Sequence, residues 1–193
     1  MKKILDIDES NISPTDWEYI YKHTAGYDDC GSGPGSTVPN TIELVEWLKN
    51  CIIKNKIKTI LDIGCGDMQW FPEVFEKIDK DISYTGVDCS EFIIQKHKVT
   101  FPHHSFVVDD VYSDSFFKNN INSYDLVICK DVIQHRVNEI EKLTFSLNKI
   151  QSKIKVIVYP EWLAGTIEPN IKMYTWVHMY KGDEYKNISI VQN

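Results

Sequence analysis

The most constraining feature of this chain is an alternation. From Ile57 onward, short β-rich runs ("IKTILDIG", "ISYTGVD", "HSFVVDD", "YDLVICK", "KIKVIVYP") are separated by segments mostly of helix length, including "NEIEKLTFSLNKI" between the last two. Strands that alternate with helices imply a parallel sheet covered on both faces, because each parallel return needs a right-handed crossover. The sequence therefore predicts a doubly wound α/β fold. The tail departs from the pattern: "IKMYTWVHMYKGDEYKNISIVQ" reads as two β-rich runs joined by the turn "KGDE", a hairpin closing one edge of the sheet.

Ahead of the alternation, "WEYIYKH" reads as a short helix behind Ser13 and Pro14, with Trp17, Ile20 and Tyr21 on one side. "NTIELVEWLKNCIIKNK" reads as an amphipathic helix that starts at Asn40 and Thr41 with Glu43 in its first turn. Between them lies "CGSGPGST", Cys30 to Thr37. A Walker-type phosphate loop would follow a strand and end in Gly-Lys-Ser/Thr, and no lysine appears here until Lys49. The segment is then a connector or a mobile lid.

With 193 residues the chain suits a single domain, divided into an N-terminal helix and Gly-rich lid (1–40), an α/β core (41–160) and the hairpin (161–193). No apolar run approaches the roughly 18 residues of a membrane span, and "MKKILDIDES" is not a secretory signal, so an intracellular, cytoplasmic protein is predicted. Five scattered cysteines without CxxC spacing argue against disulfides and structural zinc. The adjacent His103 and His104 would point to opposite faces of a strand, so no metal is predicted. A net charge of −7 gives no global attraction to nucleic acid or to an anionic membrane. Lys142, Lys149, Lys153 and Lys155 read as a solvated face rather than a binding stripe.

In an open α/β sheet, ligands lie beyond the carboxyl ends of the strands, so the residues that follow each strand carry the information. After the first, Gly64 and Gly66 let the backbone turn sharply and approach a ligand without a Cβ in the way. A dinucleotide fingerprint would place a third glycine at Gln69. It would not place Asp62 and Asp67 around a pyrophosphate, whereas a ligand bearing an ammonium and a sulfonium suits two carboxylates. Asp88 ends the second strand at the spacing expected of a ribose acceptor, with a helix N-cap as its purely structural alternative. Asp109 and Asp110 follow the third strand and offer acceptors to an adenine amino group.

"LDIGCG", "YTGVDCS", "FVVDDV" and "YDLVICKDVIQH" resemble, in order, the motifs of class I S-adenosylmethionine-dependent methyltransferases over roughly residues 57 to 160. The resemblance implies a seven-stranded Rossmann-like sheet with a final antiparallel hairpin, and S-adenosylmethionine as cofactor. It implies that Asp62, Gly64 and Gly66 line the methionine end, that Asp88 holds the ribose, and that Asp110 or Asp109 reads adenine. "GSGPGS" together with "KDVIQH" is similar to a smaller methyltransferase group without a separate substrate domain. This supports the lid for Gly31 to Thr37 and brings Gly33, Gly35 and Ser36 to the cofactor.

Methyl transfer from a sulfonium needs orientation and, for a hydroxyl acceptor, a base. His135 is the candidate, four residues after Asp131 and one turn away if the loop opens a helix. Asp131 then orients His135 or is itself the base; the alternative is a solvent-facing histidine with Asp131 as an N-cap. Lys130 faces the bound cofactor or an anionic acceptor, or is a strand-end charge, the last being the simpler reading. The Asn/Asp-Pro-Pro-aromatic signature of amino-group methylation is missing after strand four, the nearest sequence being "YPEW" after strand five. Trp70, Tyr159, Glu161, Trp162, Tyr174 and Trp176 suit a cleft mouth for a sugar or a small polar hydroxyl compound. The expected acceptor is a small molecule or glycan, with a carboxylate or amine acceptor, or a catalytically silent binding domain, as rival readings.

Overall fold

The computed structural model describes residues 7–23, 31–75, 81–119, 123–167, 175–181 and 184–192. Five strands, β1 (Thr59–Ile63), β2 (Ser83–Asp88), β3 (Ser105–Val108), β4 (Tyr124–Lys130) and β5 (Ser152–Pro160), run parallel in the order 3-2-1-4-5, as the alternation predicted. Strands β6 (Thr175–Lys181) and β7 (Glu184–Gln192) pair antiparallel with one another, and β7 lies along β5. The centre of the turn "KGDE", Gly182 and Asp183, lies outside the described residues, as does Cys30 of the Gly-rich stretch.

The helices are α1 (Pro14–His23), α2 (Val38–Asn55), α3 (Pro72–Phe75), α4 (Glu91–Thr100), α5 (Asp114–Asn119), α6 (Ile140–Lys149) and α7 (Ala164–Ile167). Ser13 opens α1 with a reciprocal cap: its hydroxyl accepts from the backbone of Asp16, and its own N–H donates to the Asp16 carboxylate. Helix α2 begins at Val38, earlier than the Asn40–Thr41 start expected, because Thr37 stands in extended backbone and Pro39 pre-sets φ in the first turn.

Side chains alternate faces along each central strand. Ile60, Leu126, Ile128, Ile154, Val156 and Val158 join Leu44 and Leu48 of α2 and Ile94 of α4 in one core layer. Leu61, Ile63, Val127, Cys129 and Ile157 join Leu143 and Leu147 of α6 in the other. Burial on both faces explains why these strands read as nearly unbroken apolar runs. Of the four lysines read as a solvated face, Lys155 departs: it sits in β5 and is only 7% exposed.

The register decides where function can sit. Ile63 is level with Val87 and with Cys129, Asp88 with Val108, and Lys130 with Val158. The residues that follow β1 to β4 therefore emerge along one edge of the core.

Candidate cofactor and acceptor site

A cavity opens at that edge, walled by the ends of β1, β2 and β4, the loop after β3, helix α1 and the Gly-rich segment. Its floor is the turn after β1. Gly64 and Gly66 adopt φ of +71° and +56°, and the N–H groups of Gly64 and Cys65 donate to the carbonyl of Val87. A Cβ on Gly64 would lie 2.3 Å from Val132, and one on Gly66 would lie 2.3 Å from the Ser32 hydroxyl. The glycines are thus required by positive φ, as the sharp turn demands, and by protein neighbours that close in on it.

Asp88 reaches into the same turn. Its two oxygens accept from the N–H groups of Gly66 and Ser90, both at 3.0 Å. The N-cap of α4 is Ser90, whose hydroxyl accepts from Ile93, so the capping alternative for Asp88 does not hold. Burial pushes the Asp88 carboxyl up to about 6 in spite of these donors. Asp62 is 2% exposed and accepts from the Tyr84 hydroxyl at 2.8 Å. Burial pushes its carboxyl up to about 7, against the opposing pull of Tyr84 and Lys130.

The Gly-rich segment is tied down at two points. Ser32 donates its N–H to Asp67 and accepts the N–H of Asp67 on its hydroxyl, which also lies 3.2 Å from the Tyr21 hydroxyl. Further on, Pro34–Ser36 makes one turn of 3₁₀ helix. There Lys130 donates to the carbonyl of Gly35 and the hydroxyl of Ser36, both at 3.2 Å, and to the carboxylate of Asp131 at 2.6 Å. An ammonium has three protons, and three acceptors take them. Lys130 is a buried staple between the loop and β4, and the strand-end charge expected of it is not what the structure shows. Ser32 and Ser36 line the cavity; Gly33 and Gly35 do not.

The loop after β4 does not open an α-helix. Asp131 sits in left-handed backbone at φ +54°, and Ile133–His135 form a single 3₁₀ turn, so the i, i+4 alignment of Asp131 with His135 does not arise. Both residues nevertheless line the cavity. The imidazole of His135 packs edge-to-face with Trp17 at 5.0 Å, and its carbonyl accepts from Ile12. His135 is therefore not a solvent-facing residue. Asp110 lines the cavity, whereas Asp109 turns away to accept from Ser113 and Ser115 beside α5.

Helix α1 lies across the mouth. Glu18 accepts from the Ser90 hydroxyl at 2.5 Å and from the N–H of Phe92. Burial opposes its charge, yet Lys22 and these donors hold its carboxyl down at about 2. Trp17, Tyr21, Ser32, Tyr112 and Arg136 wall the cavity and were not among the predicted site residues. The only signal for the first two was their i, i+4 spacing on the apolar side of α1. Of the aromatic residues expected at a cleft mouth, Trp70 lines the cavity, but Tyr159 is fully buried in the core and Trp162 is 65% exposed. Tyr174 and the side chains of Glu161 and Trp176 lie outside the described residues.

Residues 61–155 match the family model described as "Methyltransferase domain". No curated protein sequence matches the chain. Among solved structures it is similar to the N-methyltransferase NodS from Bradyrhizobium japonicum WM9 in complex with S-adenosyl-L-homocysteine, at 13% identity and TM-score 0.70, over 96% of this chain and 99% of that one. It is also similar to magnesium protoporphyrin IX methyltransferase from Synechocystis PCC 6803 with bound S-adenosylmethionine, at 17% identity and TM-score 0.61, over 91% and 96% of the two chains. A third is the methyltransferase domain of the bacterial protein CtHen1, at 14% identity and TM-score 0.62, over 78% and 98%.

The match marks residues 61–155 as a methyltransferase domain, and the fold is shared with proteins whose structures hold S-adenosyl-L-homocysteine or S-adenosylmethionine. The residues present fit S-adenosylmethionine: two buried carboxylates raised toward neutrality are groups that a cationic, hydroxyl-bearing ligand would satisfy. Among the described residues, no helix is long and apolar enough to cross a membrane, and no group of His, Cys, Asp or Glu has the arrangement of a metal site.

Proposed function

We propose that this chain O-methylates a sugar, a glycan or another small polar hydroxyl compound, with His135 as the general base. Bound S-adenosylmethionine supplies a methyl on a sulfonium whose departure needs no acid. The chain's share is then to hold the cofactor, to orient the acceptor and to take one proton. In this reading Asp88 accepts from the ribose hydroxyls, Asp110 accepts from the adenine amino group, and Asp62 with the Gly64–Gly66 turn receives the methionine end. Ser36, Gly33 through its positive φ and Gly35 through its carbonyl hold the wall that covers it, with Lys130 fixing that wall. An imidazole nitrogen of His135 takes the hydroxyl proton as the acceptor oxygen bonds to the methyl carbon.

One observation carries the choice of base. The Asp131 carboxylate already holds the Lys130 ammonium at 2.6 Å, while His135 stands on the same cavity wall against Trp17. Trp17, Tyr21, Trp70 and Tyr112 give that cavity aromatic faces of the kind on which sugar rings stack. The reading includes one domain with a seven-stranded sheet and C-terminal hairpin, the kinship with the small group defined by "GSGPGS" and "KDVIQH", a cytoplasmic location, and no nucleic-acid or membrane partner.

Turnover with a panel of neutral glycosides, amines and carboxylates tests the acceptor class. H135A should lower kcat by roughly 10²–10⁴ and leave S-adenosylhomocysteine affinity unchanged. The wild-type rate should rise with pH through about 6 to 7 and then flatten. A larger loss in D131N than in H135A would make Asp131 the base. Full activity in H135A would move the acceptor to a group that needs no base.

A further inference from the structure

The loop that carries His135 also reaches Asp110, on the cavity wall that follows β3. Its next residue, Arg136, donates through one terminal nitrogen to both oxygens of Asp110, at 2.9 and 2.7 Å. The rest of the guanidinium is fixed independently: Nε donates to Glu139 at 2.8 Å, the second terminal nitrogen also meets Glu139, and the plane lies 4.4 Å from the centre of the Tyr112 ring. Tyr112 closes a circuit, because its hydroxyl donates to the carbonyl of Val132 in the same loop and its N–H donates to Asp110. On the other side the backbone of the turn is held by the segment that leads into α1, through Ile12 N–H to His135 O and Val137 N–H to Ser10 O.

We propose that Arg136 is a positioning residue that aims Asp110 at the adenine amino group and couples adenine recognition to the placement of His135. The proposal rests on the roles given above to Asp110 and His135. Each carboxylate oxygen offers about two acceptor sites. On Asp110, Oδ1 meets Arg136 and the Tyr112 N–H, while Oδ2 meets Arg136 alone and keeps a site for a further donor. A planar fork held by Glu139 and Tyr112 fixes the direction of that site, which a lysine at 136 could not do. Because Arg136 follows His135 directly, an amino group drawing on Asp110 bears on the turn that presents the base.

The test compares binding of S-adenosylhomocysteine with its 6-oxo analogue, S-inosylhomocysteine, which replaces the donor amino group by an acceptor. Wild type should prefer the adenosyl form by roughly 30-fold or more, since a carboxylate built to accept from the amino group is left facing a carbonyl. R136M should shrink the preference to within about fivefold, and R136K should restore only part of it. At saturating cofactor R136M should also lower kcat, an effect that loss of binding alone does not produce. If R136M fails to fold, R136K decides alone. Folded R136M and R136K proteins that keep the wild-type preference overturn the role of Arg136, provided D110A abolishes that preference. If D110A keeps it too, or wild type shows none, the adenine assignment of Asp110 is what fails.

Discussion

Asp125 and the pair Asp62 and Asp88 sit at opposite ends of the same sheet and have opposite fates. At the amino end, Asp125 accepts from the N–H groups of Lys58 and Thr59 and from Lys153. Burial acts against its charge, but those donors outweigh it, and its carboxyl lies below the ordinary value. At the carboxyl end, burial wins: Asp62 rises to about 7 and Asp88 to about 6. One end of the sheet has its charges satisfied by protein. The other holds carboxylates whose ionised form the protein alone does not favour.

The pH dependences have opposite signs. Asp62 and Asp88 have folded values above the unfolded one, so between about pH 4 and 7 the native state holds more protons, and their contribution to stability falls as pH rises through that window. Asp125 has a lowered folded value, so its contribution is present above the unfolded value and is lost as pH falls toward the folded one. In the proposed reading, the difference separates a carboxylate kept for stability from carboxylates kept for a ligand, which many sites hold at a cost in stability.

Three measurements sharpen or break this contrast. The largest effect is expected from D88A, which should weaken S-adenosylhomocysteine binding by about 1.5–3 kcal/mol, roughly 10- to 150-fold, through two lost charge-assisted hydrogen bonds. Calorimetry gives the number, and unchanged affinity would remove Asp88 from the ribose. D125A should do the reverse, lowering unfolding free energy by about 1–3 kcal/mol in denaturant melts with no change in ligand affinity. The contrast fails if D125A weakens binding as D88A does. The smallest effect is in wild type: a ligand that favours ionised Asp88 releases a proton on binding, so affinity should rise about tenfold from pH 5 to 7.5 and then level off. Titrations near pH 6 in two buffers of different ionisation enthalpy should show that release; equal heats would contradict it.

Much of the sheet was readable because its information is local. Parallel strands buried on both faces leave apolar runs of strand length, and the residue at each strand end follows by counting, which is how Asp62, Asp88 and Asp110 were found. The residues that close the cavity depend on contacts between distant segments. Ser32 meets Gly66 and Asp67, Lys130 meets Ser36, and Arg136 meets Asp110, and no local period encodes which partner a side chain will find. The glycines themselves were readable as a turn, but the reason for Gly66 was a serine on another segment. Lys130 was read most simply as a strand-end charge, with a cofactor or an anionic acceptor as the alternatives, and only the fold shows its three acceptors. The alignment of His135 with Asp131 was conditional on a helix after β4, and spacing alone cannot register the left-handed backbone of Asp131 that rules it out.

The clasp that Glu18 makes on Ser90 and Phe92 has a consequence for the order in which the molecule assembles. Helix α1 leaves the ribosome before any strand of the sheet, yet its anchors are the start of α4 and the turn at His135. It has nothing to dock on until most of the core has been made, so the segment synthesised early is placed late. What closes last in folding is also among the first parts to open in the native state. Local fraying of α1 would then uncover the cofactor cavity while the two core layers stay intact, giving ligands a way in and out that does not require the protein to unfold.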